Sequence, residues 1–434
     1  MTHRRLHRAG ALALAVGLAV AAALPGAAAD RDRYVPSTPE PGIEIPESTI
    51  RLGLKPYADN SFYVIAMKKG WFDDVGIKLS PAEGISLTED NTNAMIINNN
   101  VDISAQFPPM SLPTYRTSDA IKQIMFTDVI LSGSILAHPS LGFKTFRDFI
   151  AEGMPFADAM HATIEQTRGQ TLYAPSPVVE RVLEDAVAKL ADSSFDLDIM
   201  EDAQILVAAR ADQIKLAHPG GAPIVYSLLQ NGWVQLVSTE DLIEHAPHTP
   251  DSPLLPTIQI VGNVANADFV NNNQTTVLRF MSAVWRTADE IARDGSLLDL
   301  QAPYLNSVAG TSLTGDDLRA TFENFHPLTT FEDNAKYYVG NSLLNYKPIY
   351  DALIHEYEKN RILPEGVEAD DFIWGGALWQ DMMGYREKAD ALFAKLEGAE
   401  LPQDKQDLLE KARQFYAWHD YLDAYRLVSA VSQG

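Results

Sequence analysis

Three stretches of the sequence place polar residues or glycines between an apolar run and an amphipathic helical pattern. They are Tyr57-Ala58-Asp59-Asn60-Ser61, Pro175-Ser176-Pro177 and His218-Pro219-Gly220-Gly221. The first N–H groups of a helix have no partner inside the helix and carry about half a positive charge. A carboxylate, a sulfonate or a similar anion can be held there without a cationic side chain. These three loops are therefore candidate contacts for a ligand.

A fourth loop adds an aromatic face, since Gln106-Phe107-Pro108-Pro109 follows a predicted strand. The full set of candidate binding residues is Tyr57, Asp59, Asn60, Ser61, Phe107, Ser132, Ser134, His138, Ser176, His218, Gly220 and Asn263. Several also have an ordinary structural interpretation. Ser176 before a proline is a typical N-cap, as are Asp59 and Asn60. Gly220 favours a tight turn or a close approach of the backbone to a ligand.

The basic and imidazole side chains limit what the ligand can be. His138 and His218 both precede proline, and no second histidine or cysteine lies at metal-ligand spacing, so the sequence predicts neither a metal nor a cofactor. Lys55 and Arg116 are the nearby cationic candidates. This scarcity weakens the case for a strongly charged anion and leaves a neutral or aromatic ligand open. Tyr57, Phe107 and Tyr173 could wall a cleft or belong to the core.

The elements that must position these loops alternate along the first part of the chain. A strand is predicted over 49–54, then a helix capped by Asp59, Asn60 or Ser61 and ended by Gly70. Strands and helices continue to alternate up to about residue 270, which predicts an α/β fold with a mostly parallel sheet. From Asn273 onward nearly every segment has helical periodicity.

Composition excludes some classes of protein. The 434 residues are 46% hydrophobic and 21% charged, as in a globular protein, and the formal net charge is -24. Nucleic acid and anionic membranes are poor partners for such a chain. Residues 1–29 have basic residues, an apolar run and small residues before Asp30, which predicts a cleaved signal peptide and a periplasmic location. The Pro-rich stretch 30–48 is predicted to be a flexible leader.

The order of these pieces resembles the solute-binding proteins of ABC importers, in particular the nitrate/sulfonate/taurine group that includes the NMT1/THI5-like proteins. The resemblance rests on "IRLGLKPYADNSFYVIAMKKGWFDDVGIKL", "AMIINNNVDISAQF", "KLAHPGGAPIVYSLLQNGWVQLV" and "YKPIYDALIHEYEKNRILPEGVEADDF". It covers about residues 49–375. Two segments depart from the pattern, namely a helical insertion at about 146–168 and a helical extension at 376–434.

The resemblance implies a type II periplasmic-binding-protein fold with two lobes. Lobe one would combine 49–130 with the mostly helical 240–375, and lobe two would be 131–239. A small molecule, either an anion such as a sulfonate, carboxylate or nitrate or a small aromatic or pyrimidine compound, would bind between them. Hinge closure would then deliver it, from a monomer, to an ABC permease.

Two other classes remain open. A periplasmic sensor that presents its ligand to a receptor kinase would have the same pocket and a different docking surface. An enzyme is not expected, because the sequence lacks the G-x-S-x-G, P-loop, G-x-G-x-x-G and H-E-x-x-H motifs. The thiamine-precursor synthases that share the implied fold use a cysteine-rich motif, and this chain has no cysteine.

Overall fold

The structure is a computed structural model that describes residues 34–36, 38–39, 42–175, 180–220, 222–247, 249, 252–309 and 312–433. The predicted signal peptide and Ser176 lie outside the described residues.

Twelve strands occur in these residues. They are β1 (Ser48–Ile50), β2 (Leu52–Leu54), β3 (Ile77–Leu79), β4 (Ile85–Ser86), β5 (Ile103–Gln106), β6 (Ile121–Val129), β7 (Ser134–Ala137), β8 (Thr171–Ala174), β9 (Asp196–Ile199), β10 (Leu216–Ala217), β11 (Val234–Ser238) and β12 (Ile260–Asn266).

The described part of the chain has twenty α-helices. They are α1 (Tyr63–Lys69), α2 (Trp71–Asp74), α3 (Glu89–Ile97), α4 (Pro108–Ser111), α5 (Phe146–Ala151), α6 (Phe156–Glu165), α7 (Glu180–Leu190), α8 (Asp202–Arg210), α9 (Ala222–Gln230), α10 (Thr239–His245), α11 (Ala267–Asn272), α12 (Gln274–Arg293), α13 (Leu298–Ala309), α14 (Gly315–Asn324), α15 (Ala335–Tyr338), α16 (Tyr346–Lys359), α17 (Ala369–Phe372), α18 (Gly375–Leu396), α19 (Gln403–Ala417) and α20 (Tyr421–Gln433). Short 3-10 helices cover Leu112–Arg116, Pro139–Leu141, Leu255–Thr257 and Gly295–Leu297.

Two five-stranded sheets form the two lobes. The lobe-one sheet has the order β4-β2-β5-β12-β6, and the lobe-two sheet has the order β11-β7-β10-β8-β9. In each sheet only half of the neighbouring pairs are parallel, because β12 runs antiparallel to both of its neighbours and β7 does the same in lobe two. The expected mostly parallel sheet is therefore a mixed sheet. The alternation of strands and helices predicted the class correctly but could not show which strands reverse direction.

The chain crosses between the two sheets twice. The first crossing joins β6 to β7 through residues 130–133, and the second leads from β11 and α10 back to β12. The two crossings touch each other, since the Ile130 N–H donates to the Gln259 carbonyl over 2.9 Å. A further bond of 2.8 Å runs from the Thr239 N–H to the Gly133 carbonyl. All of these residues lie at the junction of the two sheets, so this is where any relative motion of the lobes must be absorbed.

Apolar residues cover both faces of the sheets. All nine residues of β6 are buried, and so are all seven of β12. A strand with helices on both sides has no solvent face, which agrees with the largely apolar sequence "IKQIMFTDVIL" and with the burial of its polar residues as well. One core cluster contains side chains from both sheets, for example Phe126 of β6 and Ile135 of β7. The two lobes therefore share part of their core.

Three local predictions need correction. The strand predicted over 49–54 is two strands, because β1 pairs with β3 while β2 joins the lobe-one sheet. The cap expected at Asp59, Asn60 or Ser61 is absent, since α1 begins after Phe62 without a side-chain cap. The predicted end at Gly70 is confirmed, and this residue takes a left-handed φ of 73°. The stretch 30–48 was predicted to be a flexible leader, but Tyr34 within it is buried, and its hydroxyl donates to the Asp381 Oδ2 over 2.9 Å.

The two segments that departed from the family pattern are helical. The segment at 146–168 forms α5 and α6, and Phe146 is fully buried at its start. The chain after 375 forms α18, α19 and α20, which pack on one another and on lobe one. A buried ion pair joins α20 to lobe one, because the Arg279 Nε donates to the Asp423 Oδ2 over 2.6 Å. Among the described helices none is long and apolar enough to cross a membrane.

Candidate functional site

A cavity of about 700 Å³ lies at the junction of the two sheets. Its wall includes the loop after β2, the crossing 130–133, and the segment 257–261 that leads into β12. Lobe two contributes His218, Gly220 and Thr239. A cavity of this volume is in the range of pockets that enclose small organic ligands.

Hydrogen bonds within the loop after β2 and from α13 fix the conformation of this loop. The Ser61 hydroxyl donates to the Tyr57 carbonyl over 2.6 Å. Gln301 of α13 donates its Nε2 to the Ala58 carbonyl over 2.6 Å and to the Ser61 Oγ over 3.1 Å. Because these groups are occupied within the loop, Ser61 supports the loop and does not line the cavity.

The Asp59 carboxylate is the most notable group on this loop. Asp59 lines the cavity although it is only 6% exposed. Its Oδ2 accepts from the Nδ2 of Asn60, and its Oδ1 accepts no hydrogen bond. No lysine or arginine pairs with it among the described residues. A buried carboxylate is costly without a compensating partner, so Asp59 leaves one oxygen available to a ligand.

A second carboxylate lies next to Asp59, near the carboxyl end of β6. Asp128 is fully buried, and its Oδ2 lies 3.1 Å from the Nδ1 of His326, which follows α14. Its Oδ1 accepts from the Thr127 hydroxyl over 2.9 Å. We call Asp128 and His326 the lobe-one pair. His326 borders the cavity and uses Nδ1 for this bond, and its Nε2 has no hydrogen bond to any residue that the structure describes.

The pKa values of the lobe-one pair are coupled to each other and to Asp59. Burial raises the pKa of Asp128 to about 6, although the hydrogen bond to His326 opposes this effect. Burial lowers the pKa of His326, but its hydrogen bond to Asp128 and the negative charges of Asp59 and Asp128 outweigh burial and raise it above the ordinary value. The neighbouring carboxyl groups therefore favour the protonated form of the imidazole.

Asp59, Asp128 and His326 are also the residue types that bind metals. One donor atom from each lies within 4.8 Å of the others, so the three could hold a metal ion. The spacing of residues along the sequence does not reveal this group, because its members are separated by 69 and 198 positions. Only the pairing of β6 with β12 and the return of the chain after α14 bring them together.

A second histidine and carboxylate face the cavity from lobe two. The His218 Nδ1 lies 2.7 Å from the Glu184 Oε1, and both side chains are buried. We call these residues the lobe-two pair. His218 borders the cavity, so each lobe presents to it one imidazole that is oriented through its Nδ1 by a buried carboxylate. Such a carboxylate fixes the orientation of the ring, and the Nε2 remains for a ligand.

The rest of the lining is mostly apolar or aromatic. Apolar side chains come from both lobes, and the aromatic rings are Tyr57, Phe107 and Tyr226. Among the lining residues that the structure describes there is no lysine and no arginine. Lys55 is fully buried and donates to the Gln106 Oε1 over 3.0 Å. The Arg116 guanidinium donates to the Arg361 carbonyl, away from the cavity lining.

Seven of the predicted site residues line this cavity: Tyr57, Asp59, Asn60, Phe107, Ser132, His218 and Gly220. Four do not. Ser61 supports its loop from behind, and Ser134 of β7 accepts from the Gln235 Nε2 over 2.7 Å. Asn263 is fully buried in β12 and donates to the Tyr63 hydroxyl over 3.0 Å. His138 is the fourth, and Ser176 lies outside the described residues.

His138 is away from the cavity because of the direction of β7. Ser134 pairs with Ser238 and Ala137 pairs with Leu216, so β7 runs antiparallel to both of its neighbours. His218 follows the carboxyl end of β10, while His138 follows the end of β7 at the opposite edge of the sheet. Both histidines follow a strand and precede a proline, but they lie at opposite ends of the lobe-two strands because β7 and β10 are antiparallel. Of the two alternatives left open for Tyr173, the core applies, because it lies outside the lining and packs against a core cluster of lobe two.

The structure adds Asp128, Glu184, Asp317 and His326 to the site. Asp317 of α14 lines the cavity, and hydrogen bonds from the backbone and hydroxyl of Thr314 lower its pKa. One sequence signal for Asp128 was available, namely an aspartate within a largely apolar strand. Charged residues are rarely buried in such a strand without a specific role. His326 and Asp317 had no comparable signal.

Comparison with known proteins supports the fold. No protein-family model matches the sequence, and no curated protein matches it either. The periplasmic aliphatic sulphonate-binding protein SsuA of Escherichia coli is similar in structure, with a TM-score of 0.53 and 12% identity over 76% of this chain and 99% of that chain. A putative periplasmic sulfonate-binding protein of Methylobacillus flagellatus has a TM-score of 0.51 and 10% identity over 78% and 95% of the two chains.

These identities establish the fold and not the ligand. The predicted class, a two-lobe periplasmic-binding-protein fold with a helical C-terminal part, is confirmed by the two sheets, by the terminal helices and by these similarities.

Proposed function

We propose that this protein is an extracytoplasmic solute-binding protein that captures a small molecule between its two lobes and delivers it to an ABC importer. The observation that carries the proposal is the 700 Å³ cavity at the junction of the two sheets, with an oriented imidazole from each lobe on its wall. In mixed α/β folds, ligands characteristically bind in such crevices.

The similar structures support this proposal. Both are described as periplasmic sulfonate-binding proteins, and the second is described as part of an ABC transporter. For this chain we propose the same kind of role, with a periplasmic location, a membrane permease as the partner and a monomeric state. The helical C-terminal part packs on lobe one and leaves the cavity wall to the two lobes.

Closure of the lobes would follow from the way the chain crosses between them. The two crossings are hydrogen-bonded to each other and border the cavity, so a ligand that contacts both lobes bridges this junction. A ligand with more contacts in the closed form shifts the population toward that form. The shared core between the sheets limits how far the lobes can separate.

We propose binding and not catalysis as the function of the site. The lobe-one pair has the geometry of a general base, because a carboxylate orients an imidazole. The hydrogen bonds of His326 within the described residues reach only Asp128, and none reaches a serine or threonine hydroxyl, which supports the proposal. A receptor kinase could replace the permease as the partner, and the two alternatives differ in the docking surface and not in the cavity.

Ligand-dependent stabilisation tests the proposal. The probe is the small-molecule fraction of a complex bacterial growth medium, and a compound that binds only the folded protein must raise the Tm. We expect a rise for the wild type and for Asp316→Trp, which substitutes an exposed residue of α14. We expect none for Thr321→Trp, which places an indole in the cavity from the same helix. An equal rise in Thr321→Trp, or none in the wild type, would contradict the proposal.

A further inference from the structure

The charges around the cavity point to a ligand class that neither the fold nor the similar proteins specify. An anion needs donors or positive charge around it, and the described lining contains no lysine or arginine. Two carboxylates, Asp59 and Asp317, line the cavity instead. Asp128 adds a third negative charge directly behind the wall.

Asp59 provides an observation independent of this count of charges. It is more than nine-tenths buried, it borders the cavity, and its Oδ1 accepts no hydrogen bond from any residue that the structure describes. The His326 imidazole beside it is hydrogen-bonded to Asp128 and not to Asp59. The group of three therefore contains two carboxyl groups and one imidazole.

We infer that the ligand is an organic cation, a small molecule with a protonated nitrogen on a largely apolar body, whose charged end lies against Asp59. This inference rests on the proposed function of the same cavity. A protonated nitrogen supplies both the donor that the Asp59 Oδ1 lacks and the charge that the group needs. The apolar walls enclose the body of the ligand, and the rings of Phe107 and Tyr226 offer π faces that attract a cation.

The test removes classes of compound from the small-molecule fraction of growth medium and measures the Tm of the full-length protein. Four samples are compared at pH 7.5: the untreated fraction and fractions passed over cation-exchange, anion-exchange or metal-chelating resin. We expect the rise in Tm to survive anion exchange and metal chelation and to disappear after cation exchange.

Variants locate the charged contact. Asp59→Asn keeps the size of the side chain and removes its charge, so we expect it to need at least a tenfold higher concentration of the fraction for the same rise. Asp316→Asn removes the same charge from an exposed position of α14 and should behave as the wild type.

Any other pattern of Tm changes overturns the inference, and each pattern identifies a different class of ligand. A rise lost after anion exchange identifies an anion, a rise lost after chelation identifies a metal ion, and a rise that survives every resin identifies a neutral compound. In these three cases the proposed solute-binding function still stands. An unchanged response of Asp59→Asn overturns the assigned contact. No rise with the untreated fraction contradicts the proposed function itself, and the inference falls with it.

Discussion

Replacing Asp128 with asparagine should lower the pKa of His326 below the ordinary value of a histidine. In the native protein, burial lowers this pKa, and the hydrogen bond and charge of Asp128 together with the charge of Asp59 raise it further than burial lowers it. Asparagine has nearly the same shape and can keep a hydrogen bond, but it has no charge. The charge of Asp128 is therefore lost and its hydrogen bond to His326 is weakened, while burial remains.

The size of the change follows from the strength of the bond that is lost. A neutral hydrogen bond contributes about 1 kcal/mol, and one to a charged group contributes about 1.5–3 kcal/mol. The difference of about 0.5–2 kcal/mol corresponds to a fall of up to about 1.5 pKa units, since one unit is about 1.4 kcal/mol. The imidazole should therefore hold its proton less well at pH 7 in Asp128→Asn than in the native protein.

An NMR titration of the ring nitrogens in protein with ¹⁵N-labelled histidine measures this pKa, and a His326→Gln spectrum assigns the signal. Asp289→Asn is the matched control, because Asp289 lies 2.6 Å from the Nε2 of His419 in a pair outside the cavity. It should perturb His419 and leave His326 unchanged. A His326 pKa that stays above the ordinary value in Asp128→Asn would refute the electrostatic account of the lobe-one pair.

Three further predictions concern binding and stability. Burial holds the carboxyl of the lobe-one pair at a pKa of about 6, so the affinity for a cationic ligand should fall as the pH drops from 7 to 5, by up to about tenfold per unit below pH 6. Calorimetry with the compound that the cation-exchange resin retains measures this affinity, and an affinity that rises on acidification would contradict the prediction. Gly262→Ala should lower the free energy of unfolding by roughly 2–3 kcal/mol in urea, because its Cβ would lie 1.9 Å from the Met125 carbonyl oxygen, whereas Gly384→Ala has open space and should be neutral or stabilising. Arg279→Met should cost about 3 kcal/mol in the same assay because it leaves Asp423 buried with fewer partners, and an unchanged midpoint would show that this ion pair does not stabilise the C-terminal helices.

Local periodicity predicted most of the elements of this fold. The helix at 89–97, the strand at 103–106 and the strand-turn-helix-strand unit from 216 to 238 fit the expected alternation. The largely apolar run from 121 to 137 forms two strands, and they lie in different sheets. Periodicity reports which residues are buried, but the choice of sheet depends on pairing with β12, which lies more than a hundred residues away.

The candidate site was only partly predictable for the same reason. Loops that end a strand and begin a helix located Asp59, Phe107 and His218, because parallel strands bring their carboxyl ends to one edge of a sheet. That rule fails for a reversed strand, which is why His138 lies elsewhere. It also says nothing about His326, which reaches the cavity from the chain that follows α14. The expected charge of the ligand differs most between sequence and structure. The helix termini suggested an anionic ligand, whereas the charged side chains that line the cavity are acidic.

The central claim is that one small molecule binds between the two lobes of this protein. A crystal structure of the protein after exposure to the small-molecule fraction of growth medium tests it most directly. The account predicts electron density for one compound inside the cavity, in contact with residues of both sheets and with a nitrogen about 3 Å from the Asp59 carboxylate. Density for a bound compound elsewhere on the protein, with the cavity holding only water, would contradict it.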